Sequence, residues 1–481
     1  MGTTCCKPAR HRRRRPGDAH AVVSAPAAEA GRSPEKAKLD PRDFEFVGLS
    51  GETRVKLPGT VGGQQFAIDR CRGCALFLLD ACAMVTVDAC SDCALFIGPT
   101  DGAVFLRGCT NCRCVALCGQ LRARDCEGCG LSLYCRTRPA VEACRGLAFR
   151  AFGFPYSGLA AQMAARGLPP LADRWWDVHD FTPPAAWAEP NWRIGGGGGA
   201  EGGGGSVARL EAFLWGGAVG SGGGGGSEAG CEQRRRSKDS QEGAVSERGV
   251  SLEFLDGGSE GGVDDGPPQT GAEAPAEAAG AEVGELSATG QRKQQLAGGS
   301  GGWRLPGEVA ELLLAAEADP LGPDALCAVP STGGEADAAS ASLLLFPPGS
   351  AAAVLELVAR HYGLRAGGAA CQHCEGCELL RTNEAALPPE AARRMAAAAG
   401  WGRCEVRRFV APQRRRPKRR AGGGGASAGA AIGLEVRCGA KGGAAACAGC
   451  AALAAEARAL GALSTAAPAV ARGFWELGIS S

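Results

Sequence analysis

Between Gln64 and Cys144 the chain alternates apolar and polar positions in short stretches that recur with a period near 18 residues. The repeat is marked by cysteines two residues apart, CRGC from Cys71, CSDC from Cys90, CTNC from Cys109 and CEGC from Cys126, at spacings of 19, 19 and 17 residues. Aligned on the leading cysteine, Phe66, Val85, Val104 and Leu121 lie five positions before it, and Ile68, Val87, Leu106, Ala123 and Val141 lie three before. After the second cysteine come two more apolar ladders: Leu76, Leu95, Cys114 and Leu131, then Leu78, Ile97, Ala116 and Leu133. Residues two apart share one face of a strand, so all four ladders are predicted to point inward. Several short strands per period predict coils stacked about 4.8 Å apart, a mainly β fold built as a right-handed parallel β-helix.

The same alignment selects the side chains that leave the coil. In GQLRARDC, Leu121 and Ala123 turn in, so Gln120, Arg122 and Arg124 turn out, with Arg107 and Glu142 in the register of Arg124 on the flanking rungs. Such a face taken alone is ordinary solvated surface carrying weak ion pairs.

Outside the repeat the pattern changes twice. From about Gly195 to Gly302 runs of glycine with Ser, Glu, Gln and Pro replace any periodicity, which predicts a disordered linker over 195–302. Beyond it SLLLF at Ser342–Phe346 and GLEVRC from Gly433 read as strands. Helices are predicted near Ser350–Tyr362, Pro389–Ala399 and Ala444–Gly461. Strands alternating with helices imply a small α/β domain over 303–481.

Composition sharpens the picture in three places. A net charge of +1 over 481 residues offers no global field for nucleic acid, and the 76 glycines keep much of the chain out of any core. The 24 cysteines accompany no apolar run near Met1 that would serve as a signal peptide, so a reduced compartment is expected, and no membrane-spanning helix. The opening MGTTCCKPARHRRRR sets Gly2, Cys5 and Cys6 ahead of a basic run. That is a layout for myristate plus palmitate on a 1–39 tail, although Cys6 stands where Ser or Thr is usual.

The cysteines raise metal chemistry, since C-x2-C-x15-C-x2-C matches a four-thiolate zinc spacing. The strand repeat already accounts for them as small buried side chains at a coil corner beside turn formers, with a zinc-stabilised module as the competing reading. CQHCEGC, with Cys371, His373, Cys374 and Cys377, is read as a solvated loop and RRRPKRR at Arg414–Arg420 as exposed charge, so no metal ligand is assigned.

Residues 40–194 resemble the tubulin-binding cofactor C domain family, and within it the lipid-anchored ciliary activators of Arf-like GTPases. The resemblance lies in LPGTVGGQQF from Leu57, the CxxC repeats, GQLRARDC from Gly119, HDFTP from His179 and NW at Asn191, about a third of the chain. It implies a GTPase-activating protein for an Arf-like GTPase of the Arf-like protein 3 type. Such a protein acts in trans, has no catalytic activity or cofactor of its own, and leaves GTP and Mg to the partner. It implies Arg122 as an arginine finger, Gln120 beside it, Glu142 orienting it, and Phe181 and Arg124 on the partner. It also implies work on lipidated cargo at the cytoplasmic face of the plasma or ciliary membrane, the base of a cilium or flagellum, or the cytoplasm. A scaffold that binds its GTPase without stimulating it, or a tubulin-folding cofactor, is the alternative. Gly119 departs from the family, which has glutamine there. The C-terminal order resembles the ferredoxin-like, nucleoside-diphosphate-kinase-related domain, without the kinase's histidine motif.

Overall fold

A computed structural model describes residues 40–185, 188–195, 205–216, 294–295, 304–334, 341–363, 370–373, 377–410, 429–439 and 447–477. Gly2, Cys5, Cys6, Cys374, the 414–420 run and most of the 195–302 span lie outside the described residues.

The repeat folds as a parallel β-solenoid. Its ladders run in the expected register: Phe66 beside Val85, Val104 and Leu121, and Ile68 beside Val87, Leu106, Ala123 and Val141. On the opposite wall Leu76, Leu95, Cys114 and Leu131 line up, as do Leu78, Ile97, Ala116 and Leu133. All of these side chains are buried in one core with the CxxC cysteines.

The cysteine pairs form the corner between the two walls. The residue before each leading cysteine and the third residue of each knuckle both take left-handed backbone: Arg70 and Gly73, Ala89 and Asp92, Gly108 and Asn111, Asp125 and Gly128, Ala143 and Gly146. Gly, Asn and Asp tolerate that conformation best, which explains their place in the motif. Between them Ser50, Arg72, Ser91, Thr110, Glu127 and Arg145 stack as parallel bridges over six coils. Each leading thiol donates to a carbonyl of the coil below, as Cys109 Sγ does to Val87 O (3.4 Å) and Cys126 Sγ to Leu106 O (3.4 Å).

The two walls differ on their outer faces. Strands 65–69, 84–88 and 120–124 alternate strictly and keep one face open. ALFL at 75–78, ALFI at 94–97 and VAL at 115–117 are apolar throughout, the mark of strands covered on both sides. Phe77, Phe96, Val115 and Tyr134 on that wall lie in a second core beneath helices 159–165, 206–215 and 307–317. Helix Ser206–Trp215 falls within the span read as linker. Leu210 and Leu214 bury on the solenoid wall, packing that no local turn or glycine signal reveals. Helix 307–317, read with the C-terminal domain, covers the same wall.

The C-terminal sheet orders strands 378–386, 430–437, 341–346 and 463–465, every neighbour antiparallel. Helix 351–362 joins the first strand in sequence to the second, and helix 448–459 the third to the fourth, a β-α-β-β-α-β order with helix 389–399 inserted midway. Strand 378–386 begins directly after CQHCEGC. Cys377 is therefore fully buried and Cys371 half-buried rather than solvated, because the first bonds of the strand draw them in. No described helix is long and apolar enough to cross a membrane.

Candidate partner-facing site

The open wall of the solenoid carries the residues that the sequence singled out. Phe105, Arg122, Ala140 and His179 follow one another in a single outward column, and Asp88, Arg107, Arg124 and Glu142 form the next. Gln120 neighbours Ala103 one step further along. Gln120, Arg122, Arg124 and Glu142 are all exposed.

The three arginines differ in their partners. Arg107 grips Asp88 with two bonds, Nε to Oδ1 at 2.6 Å and Nη2 to Oδ2 at 2.8 Å, and its guanidinium lies 5.9 Å from the Phe105 ring centroid. Arg124 Nε reaches Asp125 Oδ2 at 3.2 Å. The Arg122 side chain makes no hydrogen bond or ion pair with any described residue. Glu142 sits in the register of Arg124, one column away from Arg122, and does not pair with it. The small Ala140 follows Arg122 on the next rung, so the guanidinium stands clear of a bulky neighbour.

Phe181 is brought to the edge of this face by a polar clamp. Strand 179–180 pairs with 140–141, and Phe181 N donates to Val141 O at 2.9 Å. Asp180 Oδ1 accepts from Thr182 N at 2.9 Å, Asp180 Oδ2 from Asn191 Nδ2 at 3.0 Å, and Thr182 Oγ1 from Ala143 N at 2.7 Å. HDFTP and the NW dipeptide thus form one unit that stops the coil and leaves Phe181 63% exposed, edge-on to His179 at 4.5 Å. His179 is a member of the column that sequence reasoning did not single out. Only the pairing of strand 179–180 places it two rungs from Arg122, roughly 10 Å away at the spacing of stacked strands.

Gly119 is buried at the bend that leads into the arginine strand. A Cβ there would lie inside van der Waals contact of the Asp101 carbonyl oxygen, and Gly119 O itself accepts from Thr137 Oγ1 at 2.9 Å. The glycine is required by this close approach, so a glutamine does not fit the present backbone.

Residues 63–181 match the family model described as Tubulin binding cofactor C. Protein XRP2 of Gallus gallus is 46% identical over 191 residues, 38% of this chain and 53% of that protein, and Protein XRP2 of Homo sapiens is 49% identical over 160 residues, 33% and 45%. The chain thus spans about half the length of the curated relatives it matches. Tubulin Binding Cofactor C from Leishmania major aligns over 36% of this chain and 92% of its own, with 19% identity and a TM-score of 0.23. Over residues 63–181, with its ladder register and CxxC corners, this chain is thus similar to the tubulin binding cofactor C domain.

Proposed function

We propose that the chain is a GTPase-activating protein that presents Arg122 to a small GTPase of the Arf-like class in its GTP form. The observation that carries this reading is that Arg122, alone of the three arginines on adjacent rungs of the open wall, is held by no carboxylate among the described residues. Phosphoryl transfer spreads charge over the γ-phosphate oxygens, and a planar guanidinium delivered from outside neutralises it, an effect worth about 10³ to 10⁵ in rate. A guanidinium already committed to a carboxylate loses that pairing when it moves to the phosphate, and Arg107 and Arg124 are so committed. Phe181 supplies an aromatic anchor of the kind that dominates small interfaces, with Gln120, Arg124 and Glu142 as its polar rim. GTP and Mg belong to the partner, and this chain adds no cofactor to the reaction. Gly2, Cys5, Cys6 and the basic run would hold it at the cytoplasmic face of a plasma or ciliary membrane, where lipidated cargo is handled.

The test is single-turnover GTP hydrolysis by a panel of Arf-like GTPases with and without the full chain. Wild type is expected to accelerate at least one of them, and Arg122→Ala to lose about 10³-fold or more of that acceleration while binding is kept. Equal stimulation by both proteins would remove the proposal. Gly119 favours a second reading, a binder of the GTP form or of tubulin that does not stimulate hydrolysis, and binding without acceleration by wild type selects it.

A further inference from the structure

We propose that Cys377, Cys438, Cys447 and Cys450 form a tetrathiolate zinc site that ties the open end of the C-terminal sheet to the first turn of helix 448–459. The four thiols come from three separate stretches of chain. Cys377 immediately precedes strand 378–386 and Cys438 immediately follows strand 430–437, and Glu378 and Arg437 are register partners, so these cysteines flank the same end of one ladder. Cys447 is the residue that caps helix 448–459, and Cys450 lies in its first turn.

Their geometry is that of a metal site before the metal. All four are buried, and their sulfur atoms lie within 4.8 Å of one another. Cys377 Sγ is 3.4 Å from Cys438 Sγ, 3.5 Å from Cys450 Sγ and 3.7 Å from Cys447 Sγ. Tetrahedral zinc with Zn–S bonds of about 2.3 Å sets its sulfurs roughly 3.8 Å apart, so small adjustments of the four thiols admit the ion. The buried cysteines of the solenoid differ in arrangement: their thiols donate to main-chain carbonyls along the stack and also meet neighbouring thiols, as Cys118 Sγ does Cys135 Sγ at 3.9 Å, but among the described residues only the C-terminal four converge as a metal-holding group. The C-terminal sulfurs are aimed at one another.

Ligand chemistry points the same way. Cys447-Ala448-Gly449-Cys450 has knuckle spacing with a glycine in the third place. The free N–H groups of the first helical turn favour a thiolate over a thiol. Four sulfur ligands with no open position match a closed structural site for zinc, and each thiol releases its proton to solvent as the ion binds. Cys371 packs against the cluster from outside, and its N donates to Cys377 O at 2.7 Å, which makes it a neighbour rather than a ligand.

The full chain, purified without chelator under reducing conditions, is expected to carry about one zinc by plasma mass spectrometry, released when a mercurial reagent titrates the thiols. Cys450→Ser should lose that ion, while Cys371→Ser beside the cluster and Cys404→Ser on the exposed surface should keep it. Should Cys450→Ser fail to accumulate, wild-type chain produced with cobalt supplies the second readout, the intense thiolate-to-metal absorption of tetrahedral Co(II). Metal-free wild type, disulfides among these four cysteines in protein kept reduced, absence of the cobalt band, or zinc retained by Cys450→Ser would each overturn the proposal.

Discussion

Arg122 owes its freedom to small differences between adjacent rungs. Asp88 lies directly below Arg107 in the ladder, and Asp125 follows Arg124 in sequence, whereas the rungs on either side of Arg122 offer Phe105 and Ala140. Lysine at position 122 would keep the charge but lose the planar fork that the proposed contact with phosphate oxygens calls for. Gly119 acts on the same strand by backbone approach. Gly119→Gln, which restores the residue usual in the family, is expected to cost about 1–3 kcal/mol of stability, because its Cβ collides with the Asp101 carbonyl. Chemical denaturation of the purified variant checks this, and wild-type stability for Gly119→Gln would mean that the bend relaxes freely.

At the level of elements, the coil is sealed by the segment that follows helix 159–165. Asp173 lies there, fully buried, its Oδ1 accepting from Cys135 N at 3.0 Å and Trp175 N at 3.1 Å. Burial pushes its carboxyl up to about 8, against the pull of those two donors. An unfolded aspartate titrates near 4, so between about pH 4 and 8 the folded chain keeps a proton that the unfolded chain releases. Stability therefore falls as pH rises through that window and levels off above it. Asp173→Asn, which keeps an oxygen acceptor and cannot ionise, is expected to flatten the slope. Thermal melts from pH 5 to 8 test this, and an unchanged slope would refute it. Helix 206–215 shows the opposite kind of element, one set by an apolar stripe on its partner wall rather than by signals in its own flanks.

Across the whole molecule, two arginines, Arg381 and Arg174, link the solenoid side to the C-terminal domain. Arg381 of strand 378–386 lies between the rings of Trp176 and Trp475, 4.7 and 5.0 Å from their centroids, and pairs with Glu435, which is only 3% exposed. Beside it Arg174 Nη2 donates to Trp475 O at 3.1 Å, and Trp175 Nε1 to Ser331 Oγ at 2.9 Å. Arg381→Ala leaves Glu435 buried without its charge partner and is expected to cost about 3–5 kcal/mol. Calorimetry should show the C-terminal sheet melting earlier than the solenoid, with the proposed GTPase stimulation through Arg122 unaffected at low temperature. A single transition at the wild-type temperature would contradict it.

The repeat, its four inward ladders and the outward position of Arg122 were legible in the sequence alone, because a period-two strand with one buried face dictates the direction of every side chain. The C-terminal strands 341–346 and 430–437 and helices 351–362 and 389–399 were legible for the same local reason. Pairing between distant segments was not. The sulfurs of Cys377, Cys438, Cys447 and Cys450 meet across up to 73 residues of chain, His179 joins the Arg122 column through a strand of two residues, and helix 206–215 docks out of a glycine-rich span. Each depends on which surfaces the fold leaves adjacent and uncovered, and that is decided by burial over the whole structure rather than by any local pattern.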